Sequence, residues 1–283
     1  MLYVVATPIG NLSDMTLRAL EVLKSVDLVG AEDTRHSGML LKHFGIKKPL
    51  LSYHEHNEAM RTAQLIERLA AGENVALITD AGMPGFSDPG TRLVRECIKL
   101  GLPLTIVPGP SSILTALLGS GFSTERFCFR GFLPVKSGQR ERELRAAAGR
   151  EETTAFFDSP YRLTKTLASC IDILRNRQLC VARELTKKFE EFRRGTASEL
   201  LAHYEAHAPK GEIVLIVSGT ATDLNRAVAN LDHLPRGRIP SVETLAFPLV
   251  KIQYLWDFAR LFPEAFTYGL RNYQDRWAPV SRC

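Results

Sequence analysis

Residues 75–90 read VALITDAGMPGFSDPG: an unbroken apolar run, Val75 to Thr79, empties into Asp80-Ala81-Gly82-Met83-Pro84-Gly85-Phe86-Ser87-Asp88-Pro89-Gly90. A short run of β-formers without polar alternation is what a strand buried on both faces requires. Glycine lets the following backbone take positive φ and approach a ligand closely, while proline stiffens it, so the loop has the makings of a preformed cradle. In an open parallel sheet, ligands bind at that carboxyl end of the strands.

The same unit recurs on both sides of this stretch. Leu2 to Ala6 runs into Thr7-Pro8-Ile9-Gly10-Asn11, Leu28 to Ala31 into Glu32-Asp33-Thr34-Arg35, and Leu104 to Val107 into Pro108-Gly109-Pro110-Ser111-Ser112, with a further apolar run at Leu50 to Tyr53. Leu17, Leu20 and Leu23 share one helical face, as do Leu65 and Leu69. Ser13 or Asp14 is expected to cap the former helix and Asn57 the latter. Strands alternating with helices imply a parallel sheet flanked by helices. Gly and Pro also end strands for local reasons alone, yet such loops repeated along one edge point to a ligand.

Around Gly119 to Glu125 the texture turns to Gly, Ser and Thr, and a second set of strands is expected at Phe127 to Phe132, Thr153 to Asp158, Leu179 to Glu184, Phe189 to Arg194 and Glu212 to Ser218. Helical patterns occupy Gln139 to Ala148, Leu163 to Leu174 and Ala197 to His207. The expected fold class is therefore α/β, with two α/β domains, 1–118 and 119–220, followed by a tail, 221–283, that Pro235, Pro240, Pro248, Pro263 and Pro279 interrupt.

With 283 residues, 45% of them hydrophobic and 24% charged, the chain can bury a large core. A net charge of +5 agrees with an anionic partner such as RNA, as it does with many basic proteins that bind none. Met1 to Leu12 lacks a basic leader, and no apolar run approaches the roughly 20 residues that span a bilayer, so a cytoplasmic protein without a membrane partner is expected. The five cysteines, Cys97, Cys128, Cys170, Cys180 and Cys283, form no C-x-x-C pair, and reduced thiols are expected. Gly119-Ser120-Gly121 opens a dinucleotide-type match but has Thr124 at the third glycine position, and no G-x-x-x-x-G-K-[ST] occurs.

TPIGNL at 7–12, AEDTRHSGMLL at 31–41, YHEHNE at 53–58, DAGMPGFSDPG at 80–90, VPGPSS at 107–112, RGFLPVK at 130–136, ARELTKKFEE at 182–191 and KGEIVLIV at 210–217 agree in order and spacing with one family. The chain resembles the tetrapyrrole-methylase superfamily, in its branch of bacterial small-subunit ribosomal RNA cytidine 2′-O-methyltransferases. The resemblance covers roughly Met1 to Ser218; the aromatic, proline-broken Pro235 to Cys283 departs from the family's Leu- and Ala-rich tail. It implies two α/β domains with the methyl donor, S-adenosylmethionine, in the cleft between them, a homodimer, no metal, and small-subunit ribosomal RNA or the assembled small subunit as partner.

By the same resemblance, Asp80, Ala81, Gly82 and Met83 hold the methionine end of the donor, Pro8 lines its floor, and Ser87, Ser111 and Ser112 face the cleft. Asp158, Ser159, Tyr161, Glu212 and Ile213 are expected to close over the adenosine. A ribose hydroxyl needs a base during attack, and the candidates are Glu32, Asp33, His54, Glu184 and Lys187. Lys187, with a pKa lowered by desolvation, is preferred, although Glu184 with Lys187 also reads as an ion pair and Asp33 with Arg35 as a loop clamp. His54 and His56 read equally as turn histidines, and an H-x-H pair alone is a poor metal site.

Arg35, Arg130, Lys136, Arg162, Lys187 and Lys188 are expected on an RNA-facing rim, with Arg140, Arg142 and Arg145 either joining it or lying on a solvated helix. Tyr53, Phe86 or Tyr161 is available to stack on an extruded base or to fill the core. Two rival readings stay open: a methyltransferase for a small tetrapyrrole-like acceptor, and a non-catalytic RNA-binding or assembly module.

Overall fold

The computed structural model describes residues 1–220, all within one compact unit. The expected tail lies outside the described residues, as does Cys283. Four apolar runs and Leu50–Ser52 form a five-stranded sheet: β1 (Leu2–Val5), β2 (Leu28–Ala31), β3 (Leu50–Ser52), β4 (Val75–Ile78) and β5 (Leu104–Val107). All pairings are parallel, in the order β3-β2-β4-β1-β5. The central β2 and β4 are buried throughout, as their lack of alternation requires.

Helices α1 (Leu17–Ser25), α2 (Thr34–His43), α3 (Glu58–Ala70), α4 (Thr91–Lys99) and α5 (Ser112–Ser120) cover the sheet. Their stripes build two cores, one with Leu23, Val29, Ile78 and Val107, the other with Leu65, Leu77, Leu93 and Cys97. The α1 cap differs from expectation: Thr16 accepts from the Ala19 amide at 3.1 Å, while Ser13 and Asp14 belong to a short 3-10 turn, Leu12–Asp14, capped by Asn11. Asn57 does precede α3 but makes no side-chain cap; its Oδ1 accepts from the His54 amide at 2.9 Å instead. Asp33-Thr34-Arg35, expected as loop, is the start of α2, with Asp33 accepting from the Arg35 amide at 2.8 Å.

The chain leaves β1 towards β2 and leaves β4 towards β5, so connections from two neighbouring strands depart in opposite directions and open a crevice at their carboxyl ends. There Thr7 and Gly82 form an isolated antiparallel bridge, with Thr7 N donating to Gly82 O at 2.9 Å and Gly82 N to Thr7 O at 3.1 Å. The Thr7 hydroxyl also donates to Thr79 O at 3.0 Å. The two loops are thereby stitched together.

A second five-stranded sheet follows, ordered β6-β7-β10-β8-β9: β6 (Phe127–Phe132), β7 (Thr153–Asp158), β8 (Leu179–Arg183), β9 (Glu191–Gly195) and β10 (Ile213–Val217). β6 runs parallel to β7 and the other pairs are antiparallel. Helices α6 (Ser137–Ala148), α7 (Leu163–Leu174) and α8 (Ala197–Ala206) pack on it around Leu144, Phe156, Leu167 and Leu215. Phe189 and Glu190 precede β9 rather than joining it, because Glu190 N donates to Lys187 O and Thr186 N to the Glu190 carboxylate, closing a turn. Gly119-Ser120-Gly121 ends α5, with Gly121 its left-handed C-cap (φ 75°), the ordinary way a helix stops and no nucleotide loop. No described helix is long and apolar enough to cross a membrane.

Candidate active site

Three glycine-bearing loops meet where β1, β4 and β5 end. Gly82 sits at φ 84°, a conformation that favours glycine, and a Cβ there would lie 3.5 Å from Ile9 Cγ2 and 3.9 Å from Pro110 O. Lys187, from the loop after β8, lies across the loop after β1: a Cβ on Gly10 would stand 2.5 Å from Lys187 Cγ and 2.7 Å from its Cε. Gly131, at a bulge in β6, faces Ser87 in the same way, its Cβ position 3.4 Å from Ser87 Oγ. The loops of the first sheet thus touch the second sheet at two points.

Lys187 Nζ donates to Glu184 at 2.9 Å and to Glu212 at 3.0 Å. Burial acts to lower its pKa, but these two hydrogen bonds outweigh it and hold the ammonium above the ordinary lysine range. These contacts favour a paired cation over the expected neutral, proton-accepting Lys187. Glu184 takes the opposite shift, downward, because the bonds from Lys187 and the Glu212 amide outweigh its burial. Glu184 and Thr186 stand at φ 50° and 64°, so this turn stores backbone strain to hold the pair.

The His54 ring is engaged by a different neighbour. Its Nε2 lies 3.1 Å from Asn57 Nδ2, and that amide is oriented by donating to Ser52 O and by its Oδ1 accepting the His54 amide. Nε2 is then placed to accept from Asn57, which engages that lone pair. Asp33 is the loop clamp: Arg35 bonds both its oxygens, at 3.3 and 3.0 Å, and holds its pKa down to about 2, where it is a poor base.

A cavity of about 670 Å³ opens beside the stitched loops, lined by Glu32, His54, Glu55, Glu58, Ser87 and Asp88, with Arg92 and Arg95 of α4. Burial, then the neighbouring Asp80 carboxylate, raises the pKa of Glu32. Asp88 is pushed up to about 7 by burial and by Glu32 and Asp80. A carboxyl so matched to neutral pH, in a cleft, is the pattern of an acid–base group. Asp88 was missed in the sequence; its place between Ser87 and Pro89 in the glycine loop was the available signal. A second cavity of about 440 Å³ lies between the loops after β1 and β5, lined by Ile9, Gly109, Pro110 and Ser111 and by Thr186 of the second sheet.

Of the expected donor residues, Ser87 lines the first cavity and Ser111 the second, while Pro8, Asp80, Ala81, Gly82, Met83 and Ser112 line neither. Met83 packs against the core under β4, and Ser111 caps α5, whose first residue is Ser112. Asp80 Oδ1 accepts from the Asp33 amide at 3.3 Å, tying the loops after β2 and β4. Asp158 is buried at the end of β7; its Oδ1 accepts from the Ser159 amide and from Arg162 at 3.2 Å, and its Oδ2 is without a partner. Arg162 is therefore an internal clamp and not a rim cation. Tyr161 is 91% exposed, Ile213 is a core residue, and Glu212 pairs with Lys187.

Among the rim candidates, Lys136 and Lys188 are exposed, the latter over the Phe189 ring, and Arg130 is held by Glu143 at 2.8 Å. Arg140 is corrected: it is 5% exposed and donates to Val135 O. Arg145 pairs with Glu141 along α6, the solvated-helix alternative. Tyr53 is wholly buried, its hydroxyl against Thr62 and Glu58, and cannot stack on a base, while Phe86 is 56% exposed. Among the described residues no His, Cys, Asp and Glu cluster is arranged to hold a metal ion.

Residues 1–201 match the tetrapyrrole (corrin/porphyrin) methylases as a family. The chain is 47% identical to "Ribosomal RNA small subunit methyltransferase I" of Haemophilus influenzae over 256 residues, 89% of each chain. It is 46% identical to the protein of the same name from Thermotoga maritima over 218 residues, 77% of this chain and 98% of the relative. Among solved structures, uroporphyrin-III-C-methyltransferase from Thermus thermophilus shares the fold at a TM-score of 0.55 and 22% identity, covering 83% of this chain and 99% of that one.

Proposed function

We propose, since the chain belongs to the tetrapyrrole methylase family, that it transfers a methyl group from S-adenosylmethionine to the ribose 2′-hydroxyl of a cytidine in small-subunit ribosomal RNA. The observation that carries this reading is the meeting of the loops after β1, β4 and β5 at the crevice, with Lys187 laid across Gly10 from the second sheet. The relatives named for small-subunit ribosomal RNA favour that acceptor over a tetrapyrrole, because the likeness to the porphyrin enzyme rests on fold at 22% identity.

The loops suit the donor: Gly82 leaves room between Ile9 and Pro110 that a side chain would take, and the buried Thr79 Oγ1 and Asp158 Oδ2 lack partners that a ligand's polar groups would supply. When bound, S-adenosylmethionine supplies an electrophilic methyl carbon on a sulfonium. Asp80, Ala81, Gly82 and Met83, with Pro8, Ser87, Ser111 and Ser112, are proposed to hold it from the first sheet, and Asp158, Ser159 and Glu212 from the second.

Most of the acceleration comes from holding acceptor and donor in line. Asp88 takes the hydroxyl proton, since a carboxyl titrating near neutral is ionised often enough and basic enough to do so. Lys187, an ammonium, acts as a positioning residue that fixes the loop after β1 against Glu184 and Glu212. Lys136, Lys188 and Arg130 grip phosphates, which position the RNA without specifying it. The reading includes a cytoplasmic homodimer acting on the small subunit or its RNA. Ribose-methylation mapping of ribosomal RNA from cells with and without the protein tests it: one small-subunit cytidine should lose its 2′-O-methyl mark, and an unchanged map would refute the assignment.

A further inference from the structure

We propose that the cavity between the ends of β2 and β4 and helix α4 seats the target cytosine, with Glu32 accepting a hydrogen bond from its exocyclic amine and Arg92 and Arg95 holding the adjoining phosphate. The proposal rests on the RNA-methylation reading above and adds the source of its base specificity.

Charge in the cavity divides by element: the carboxylates of Glu32, Glu55, Glu58 and Asp88 come from the loops and the start of α3, whereas α4 contributes Arg92 and Arg95, with Glu96 paired to Lys99. The two arginines, three positions apart on one helical face, are exposed and make no ion pair or hydrogen bond with the described residues. A carboxylate wall repels phosphate, so a nucleotide enters base first and leaves its phosphate at the arginines. At about 670 Å³ the cavity has the size of ordinary small-ligand sites. His54 Nδ1, a shielded donor with no partner, lies in the same wall, where a base carbonyl would satisfy it.

Cytosine is the base that the wall favours. Its N4 amine donates to a carboxylate, whereas uracil offers a carbonyl at the same position and would meet Glu32 acceptor to acceptor. Asp80 lies close enough to act on the charge of Glu32 and accepts from the amide of the next residue, Asp33, so the base seat adjoins the first residue of the β4 loop. That adjacency is required, because a base lies next to its own 2′-hydroxyl.

The test uses the full-length protein, tritiated S-adenosylmethionine, and small subunits assembled with either cytidine or uridine at the mapped position. The wild-type protein should prefer cytidine in kcat/KM by about ten- to hundredfold. Glu32→Gln, whose amide both donates and accepts, should lose most of that preference while donor affinity by calorimetry stays at the wild-type value. Arg92→Ala with Arg95→Ala should instead weaken methylation of both subunits alike and flatten its salt dependence. An unchanged cytidine preference in a folded Glu32→Gln protein overturns the base seat and leaves the RNA reading standing. If Glu32→Gln does not fold, Glu32→Asp, which withdraws the acceptor by one methylene, must lower the preference or the proposal is overturned. Failure of the wild-type protein to methylate either subunit overturns both readings together.

Discussion

Replacing Asp88 by Asn should make this protein more stable and less active, and both changes should follow pH. Asp88 is a half-buried carboxyl facing Glu32 and Asp80, and its pKa stands at about 7 against an ordinary 3.8. At about 1.36 kcal/mol per pKa unit, holding it ionised in the fold costs roughly 4 kcal/mol before screening. Partial exposure admits solvent screening, which cuts this to about 2 kcal/mol. Because the folded-state pKa is raised, the fold and the unfolded chain are both protonated well below 3.8 and no cost arises there. The cost grows as pH climbs between the two values and is full above about 7.

Asn keeps the shape and discards the charge. The variant should therefore melt roughly 4–8 °C higher than wild type at pH 8, and the gap should shrink towards zero near pH 4. Turnover at pH 8 should fall by about 10²–10⁴-fold, the range for a lost general base. Wild-type turnover should rise as pH climbs through about 7 and then level, since the base must be ionised. Paired thermal melts and initial rates across pH 4–9 would measure all of this. Equal melting temperatures at pH 8 would refute the crowding argument, and a stabilised variant with wild-type turnover would remove Asp88 as the base.

Lys187→Met should lower turnover by up to roughly a hundredfold through misplacement of the β1 loop, but leave the midpoint of the pH–rate curve unchanged; a displaced midpoint would restore Lys187 as the titrating base. Gly10→Ala must push its methyl into the Lys187 stem, 2.5 Å from Cγ, at φ 145°, and should cost about 1–3 kcal/mol in denaturant melts; wild-type stability would mean that Lys187 does not rest there. Tyr53→Phe strands Thr62 and frees Glu58 beside Gly90, so it should destabilise by about 1 kcal/mol without altering base preference. Methylation should weaken steeply as salt rises, through substrate affinity rather than maximal rate, and a flat response would argue against phosphate contacts.

The apolar runs announced every strand of the first sheet, most plainly β2 and β4, which are buried on both faces and have no polar position to disguise them. Helices α2, α4 and α5 were less legible. Asp33-Thr34-Arg35 looks like loop until Asp33 is seen capping α2, and the run Pro108 to Ser112 gives no sign that Ser111 caps a helix as well as lining a cavity. Position along the chain also revealed which loops carry glycine and proline, and the spacing of eight segments pointed to the family. Charge states were another matter. Nothing in ELTK states that Lys187 meets Glu212 as well as Glu184, and nothing in YHEHN states that Asn57 occupies the His54 lone pair.

What the chain order determines by itself is the architecture: runs of buried β-formers joined by helices, with pliant and stiff residues gathered at one set of strand ends. What the tertiary structure alone decides is protonation and reach. Asp88 becomes a neutral-pH titrant only when folding buries it and sets Glu32 and Asp80 near it, and Arg140 leaves the surface only when α6 packs down. Local sequence sets backbone preference over a few residues, whereas the energy of a charge depends on every group that folding brings near it.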